Sequence, residues 1–370
     1  MVQWIVMNRI FGIILVIFVL GVSGTVFLTK SLSDNVQSTP LRTSVSTPTP
    51  TISQIMHKIP GEQYVINQER FVSQTFNNCG PASLSMVMSM FGTTIEQGEL
   101  AAKMRPFNNP AGGVDDKSIF AHEFVSSAKE YGFESLHRPN GTTELIKTFV
   151  TNDIPVVVRT WLSPNEDIGH FRIVRGYDDN RQVFIQDDSY EGPNLEYSYA
   201  TFEKMWQPFN YGYILVYPKE KEAVVRSILG KEFDEKTAYQ NSIKRADAEL
   251  ASNSADFYAT FNISSAQYHL GNYEDSVTKY EMVENQLPPR MLWYQLEPLL
   301  SYVQTGNDEK VLSKTAAILS SGNLAFSELY LVRGDVYKNS GDLVRAREAY
   351  EAAIYYNSQM TEARDRLATL

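Results

Sequence analysis

The chain has 370 residues, is 43% hydrophobic and carries a formal net charge of -10. This composition excludes disorder throughout, and the length implies two globular units with appendages. The acidic balance, with no lysine or arginine cluster, argues against a nucleic-acid partner. Cys79 is the only cysteine, which excludes an intrachain disulfide and a zinc cage of several thiolates.

Residues 1–9 are a short tail ahead of an uncharged apolar run of nineteen, residues 10–28, bounded by Arg9 and Lys30. As a helix that run is long enough to cross a bilayer, and the pattern predicts a single transmembrane anchor. The other reading is a cleaved signal peptide, with small-residue spacing at Val22 and Gly24. The simplest topology makes this a single-pass cell-membrane protein with everything after Lys30 outside the cytoplasm. Residues 31–57 are rich in Ser, Thr and Pro and poor in aromatics, and form a stalk whose ends lie on the order of 30 Å apart.

Residues 58–220 change to a mixed texture. A helix is expected after Cys79, and another from Lys117 to Tyr131, closed by Gly132. Four strand-like segments follow, 155–161, 170–177, 183–187 and 211–217, each rich in β-branched or aromatic residues and bounded by turn residues such as Asp179-Asn180. Helices first and antiparallel strands later predict an α+β domain. Across 221–370 helical periodicity takes over, with a turn recurring at Gly271-Asn272, Gly306-Asn307 and Gly341-Asp342, an interval of 35. With Tyr268, Tyr273 and Tyr280 in one unit and Tyr337, Ala346, Tyr350 and Ala353 in another, this resembles tetratricopeptide (TPR) repeats. The resemblance implies a stacked all-α helical-repeat domain that holds a peptide or protein partner.

Cys79 stands at the first turn of its helix, where unpaired amides and the helix dipole favour a thiolate. Pro81 is tolerated there because its amide has no helical partner to lose. Gly80 is expected to leave room for a substrate backbone beside the sulfur. A nucleophilic thiol needs a base, and the base needs a group that orients it. Of the five histidines, His57 lies at the stalk, His269 in the repeats, His122 on an amphipathic helix and His137 in a loop after Gly132. His170 opens a strand, and Asp187 closes the next one after a tight turn. Adjacent antiparallel strands would set the two side by side, with the other imidazole nitrogen facing Cys79.

The segments QTFNNCGPASLSMV, IGHFRIVRGYDDN and VFIQDDSYEGPN, in that order, resemble the bacterial C39-like peptidases, which are papain-like cysteine proteases. The intervening VDDKSIFAHEFVSSAKEYGFES and LIKTFVTNDIPVVV segments extend the resemblance over about residues 60–217. It implies Cys79 as nucleophile, His170 as general acid/base, Asp187 as orienter and Gln74 as oxyanion donor beside the Cys79 amide. Two departures leave alternatives open. Asp187 is followed by Asp188 where family members commonly have proline, so either carboxylate fits. Gln74 precedes the cysteine by five residues where relatives often have six, so Asn77 or Asn78 could supply the donor.

The resemblance implies hydrolysis of a peptide or protein substrate with no metal or organic cofactor, by an extracytoplasmic thiol protease. Nothing resembles an ATP-binding cassette, so leader-peptide trimming inside an exporter does not transfer. The other readings are a cell-wall peptide amidase and an inactive surface adaptor that works through its repeats.

Overall fold

A computed structural model describes residues 57–105, 119–164 and 166–370. The anchor expected at 10–28 and nearly all of the stalk lie outside these. Among the described residues no helix is long and apolar enough to cross a membrane.

The first half of the described chain runs β1 (Gln63–Val65), α1 (Cys79–Ser89), α2 (Gln97–Met104), α3 (Ala121–Glu130), β2 (Glu134–Arg138), α4 (Thr143–Thr151), β3 (Val156–Trp161), β4 (Gly169–Asp178), β5 (Val183–Asp188), β6 (Gly192–Ser198), α5 (Tyr199–Trp206) and β7 (Tyr213–Tyr217). The strands form one antiparallel sheet in the order β2-β7-β3-β4-β5-β6. β1 joins beside the second half of β4, pairing Tyr64 with Tyr177. All four expected strands are present. β1, β2 and β6 were not anticipated, because none carries the apolar run that marks a strand buried on both faces.

The period-two alternation of these strands fills two cores. On one face Val157, Phe171, Ile173, Ile214 and Val216 meet α1, α2 and α3. On the other, Val156, Val158, Val174, Tyr213 and Leu215 meet Ile146, Phe149 and Val150 of α4 and Phe202 and Trp206 of α5. Helix α1 is buried at every position from Cys79 to Met88, which accounts for its nearly uniform apolar and small composition.

The second half is helical: α6 (Glu222–Leu229), α7 (Glu235–Ser252), α8 (Phe257–His269), α9 (Tyr273–Glu281), α10 (Met291–Tyr294), α11 (Glu297–Gln304), α12 (Asp308–Ser320), α13 (Ser327–Asn339), α14 (Leu343–Tyr356) and α15 (Thr361–Ala368). The recurring turns join α8 to α9, α11 to α12 and α13 to α14. Gly271, Gly306 and Gly341 stand there at φ +81, +70 and +82, a conformation that costs glycine little.

The change at 220/221 is one of architecture and not a gap in the core, because the described chain forms one compact unit. Trp161 of β3, Met205 of α5 and Phe209 pack in a single cluster with Tyr280, Met291, Trp293, Tyr294 and Leu299 of the helical half. The Trp161 ring meets Phe209 edge-on at 4.7 Å and Tyr294 at 6.0 Å. Polar links reinforce the seam: Gln295 donates to the Pro208 carbonyl at 2.7 Å, and Arg290 pairs with Asp167 at 2.9 Å.

Candidate active site

Asn78 caps α1, and the helix opens with Cys79, Gly80 and Pro81 in its first turn, as the sequence implies. The space beside Gly80 has a different owner from the one expected. A Cβ there would lie 2.2 Å from the end of the Ile119 side chain, so the glycine accommodates packing from the segment ahead of α3 and not a passing substrate.

His170 enters β4 opposite Thr160 of β3, and its ring is buried. The imidazole and the Cys79 sulfur are near enough for each to shift the other's protonation. Its Nε2 lies 2.8 Å from Asp188 Oδ1, which leaves Nδ1 for the thiol. The expected partner was Asp187, and the structure corrects this. In the β4–β5 register Asp187 is opposite Ile173, and a bulge follows between Val174 and Gly176. Asp187 therefore reaches Arg175, whose Nε donates to it at 2.8 Å, and accepts the Asn194 amide at 3.0 Å. One residue further on, the side chain points to the opposite face of the sheet, shared with Arg172 and His170. Asp188 accordingly lies 3.2 Å from Arg172 Nη2 in an ionic contact, and its Oδ1 also accepts the amides of Tyr190 and Glu191 at 2.8 and 3.0 Å.

These contacts set the protonation states. Burial, the largest influence on Cys79, pushes the thiol up. The His170 hydrogen bond, the His170 charge, the Phe171 amide and the positive charge of Arg159 outweigh it and bring the thiol down to about 7. Burial disfavours the imidazolium, but the hydrogen bonds to Asp188 and Cys79 raise His170 to about 9. Burial also works against the Asp188 carboxylate, and the His170 contact together with Arg172 still holds it down at about 2. The favoured arrangement near neutral pH is a thiolate beside an imidazolium that is oriented by a carboxylate.

Gln74 is tied to this array through Ser189, the residue after Asp188. Its main-chain amide donates to the Ser189 carbonyl at 2.8 Å, and its Oε1 accepts from Ser189 Oγ at 2.8 Å. That contact turns the donor end, Nε2, away from Ser189. Asn78 is otherwise engaged, since its Nδ2 donates to Thr75 and its Oδ1 accepts from Arg105. Asn77 adopts a left-handed φ of 56 just before the cap.

Two groups at the site were not singled out beforehand. The Phe171 amide acts on the sulfur but has no side-chain signature. Arg159 does leave a trace, as the one charged residue in the run PVVVRTW. Its guanidinium is buried over the Phe171 ring at 4.3 Å and donates to the carbonyls of Ile119 and, at 3.1 Å, Tyr294. The helical half thus holds a cation that acts on the thiol. Tyr294 also seats its ring on Gly169, where a Cβ would come within 2.9 Å of it. Among the other histidines, His122 lies in α3 as expected, but His137 sits in β2, paired with Ile214, and not in a loop. No group of three or more metal-ligating side chains occurs among the described residues.

The α+β fold and this buried Cys–His–Asp array define a domain with a cysteine-peptidase-like fold. Residues 53–214 match the model of the Peptidase_C39 like family. Solved structures similar to it include the peptidase domain of Streptococcus ComA, described as a bi-functional ABC transporter involved in a quorum sensing pathway. That match has 22% identity, covers 40% of this chain and 97% of that one, and has a TM-score of 0.32. A protein described as a C39-like peptidase from Bacillus anthracis matches at 17% identity, over 43% and 99% of the two chains, with a TM-score of 0.35. A double glycine motif protease from an AMS/PCAT transporter, solved in complex with the leader peptide, matches at 17% identity over 43% and 98%, with a TM-score of 0.33. At scores this low the assignment rests on the family match. Comparison with curated protein sequences gives no match.

Proposed function

We propose that the chain is a cysteine peptidase in which Cys79 is the nucleophile, His170 the general acid/base, Asp188 the group that orients it and Gln74 the oxyanion donor. The observation that carries this reading is the buried His170 imidazole held by Asp188 at 2.8 Å, whose charge brings the Cys79 thiol down to about 7.

In the first step the thiolate adds to a peptide carbonyl, and the developing oxyanion is met by Gln74 Nε2 and the Cys79 amide. The C–N bond then breaks as the His170 imidazolium gives its proton to the departing amine, leaving a thioester on Cys79. The now neutral imidazole takes a proton from water, and the hydroxide adds to the thioester. Collapse releases the carboxylic acid and restores the thiolate–imidazolium pair. Asp188 keeps Nδ1 of the ring aimed at the sulfur in every step and stays ionised throughout.

The rest of the reading places this domain outside the cytoplasm, tethered by residues 10–28 through the stalk, with the helical half holding a peptide or protein partner. The test of the chemistry is incubation of the purified chain, under reducing conditions, with a broad peptide library. Cleavage that disappears in Cys79→Ala is the expected result. A chain that labels as an activated thiol yet cleaves no member would overturn the peptidase reading. Membrane fractionation with and without residues 10–28 tests the tether.

A further inference from the structure

Few large apolar side chains of the first half of the described chain are exposed to solvent: Ile59, Val65, Phe76, Ile168 and Tyr190. Three of these border the catalytic array. Phe76 stands three residues before Cys79, Ile168 two before His170, and Tyr190 two after Asp188. Three residues of chain reach no more than about 11 Å and two about 7 Å, so each side chain is rooted beside a different member of the array. They come from the loop ahead of α1, the entry to β4 and the turn into β6, which meet only in the fold.

Each is presented by a fixed main chain. The Phe76 carbonyl accepts from Arg105 Nη1 at 3.2 Å, and two residues earlier the Gln74 amide donates to the Ser189 carbonyl. The Ile168 carbonyl accepts the Leu162 amide at 2.8 Å, which extends the β3–β4 ladder past Gly169. The Tyr190 amide donates to the catalytic carboxylate itself, Asp188 Oδ1. The side chains nevertheless stay 70%, 40% and 68% exposed and join none of the apolar cores. An apolar side chain held in water gains nothing from folding, and several on rigid supports around one point mark a surface that another molecule covers. Whatever covers all three also covers the thiol, because each is rooted within three residues of a buried member of the array. The occupant is therefore the molecule on which the thiol acts.

Resting on the peptidase reading, we propose that Phe76, Ile168 and Tyr190 determine substrate specificity by seating large apolar side chains of an extended peptide close to its scissile bond. The reach of these residues from the array corresponds to about two or three residues along an extended peptide. Apolar side chains there leave water together with the three, whereas polar ones lose their hydration without gaining a hydrogen bond from an apolar rim.

The test is fluorescence anisotropy on the full chain carrying Cys79→Ala, so that binding is read without turnover. The probes are a labelled decapeptide with Leu, Phe, Leu and Met at its centre and the same peptide with Ser, Gln, Ser and Asn there. The apolar peptide is expected to bind tighter by about tenfold or more, the gain from burying one large apolar side chain. Phe76→Ser, Ile168→Ser and Tyr190→Ser are each expected to weaken the apolar peptide by about threefold or more and to leave the polar one unchanged. Side chains this exposed contribute little to folding, and thermal melts check that each variant folds. No saturable binding up to the solubility of the peptides, equal affinity for both, or an apolar preference that survives all three substitutions would overturn the proposal. So would self-association of the chain, read by sedimentation, that the same substitutions abolish, since the rim would then belong to a second copy. Cleavage by the unaltered chain is scored separately: its absence removes the peptidase reading, while discrimination in binding still decides the rim.

Discussion

Strand β4 carries two buried carboxylate–cation pairs within six residues of one another. At its start His170 meets Asp188, and at its bulge Arg175 meets Asp187. Both carboxylates are fully enclosed; Asp188 also takes amides from the turn into β6, and Asp187 takes one from within β6. The difference lies in the cation. Arginine holds its protons at every accessible pH, so the Asp187 pair can only brace β4 against β5 and β6. Histidine gives its proton up within reach of neutrality, so the Asp188 pair can move one. Burial alone does not mark a catalytic carboxylate; a partner able to titrate does.

This contrast can be broken or sharpened by experiment. The largest effect is expected from Cys79→Ala, which should reduce peptide hydrolysis by about 10⁴-fold or more with little change in the melting curve. Asp188→Asn should lower kcat by about 10²–10⁴-fold through misorientation of His170. Asp187→Asn should instead cost on the order of 3 kcal/mol in denaturant unfolding by leaving buried Arg175 without its counter-charge, with kcat per folded molecule unchanged. If the two substitutions exchange these signatures, the assignment of the pair is reversed. Gln74→Ala should lower kcat by about 10²–10³-fold with little effect on KM, as expected for a donor that engages only the transition state.

The smallest expected effect is a displacement of a pH profile. Because the Cys79 thiol is lowered to about 7, alkylation should rise through that pH and level off above it. His170→Ala removes the positive charge and the hydrogen bond that hold the thiol down, so the midpoint should move up. The raised His170 loses its proton only near 9, and a rate that needs the imidazolium should fall there. A midpoint already at an ordinary thiol value of about 8.5 in the unaltered chain would remove the activated pair.

By itself the sequence determined what local chemistry controls. The apolar run from Leu84 through Phe91, with Pro81 admissible only in a first turn, placed Cys79 at a helix start. β-branched and aromatic runs marked β3, β4, β5 and β7, and glycines at a fixed interval marked the helix–turn–helix joints. The sequence also brought Cys79 and His170 together, because the type of each flanking element is written within a few residues of it. Tertiary structure decided the rest. Choosing between Asp187 and Asp188 depends on a one-residue step beside a bulge, and register is set by pairing across strands, which neither strand records alone. β2 and β6 were hidden for a related reason: strands at the sheet's margins need no continuous apolar run, so His137 read as a loop residue. Arg159 reaches the thiol only because Ile119 and Tyr294, 40 residues before it and 135 after, turn their carbonyls toward it. Contacts at that separation follow from the packing of one half on the other, and hydropathy read along the chain carries no trace of them.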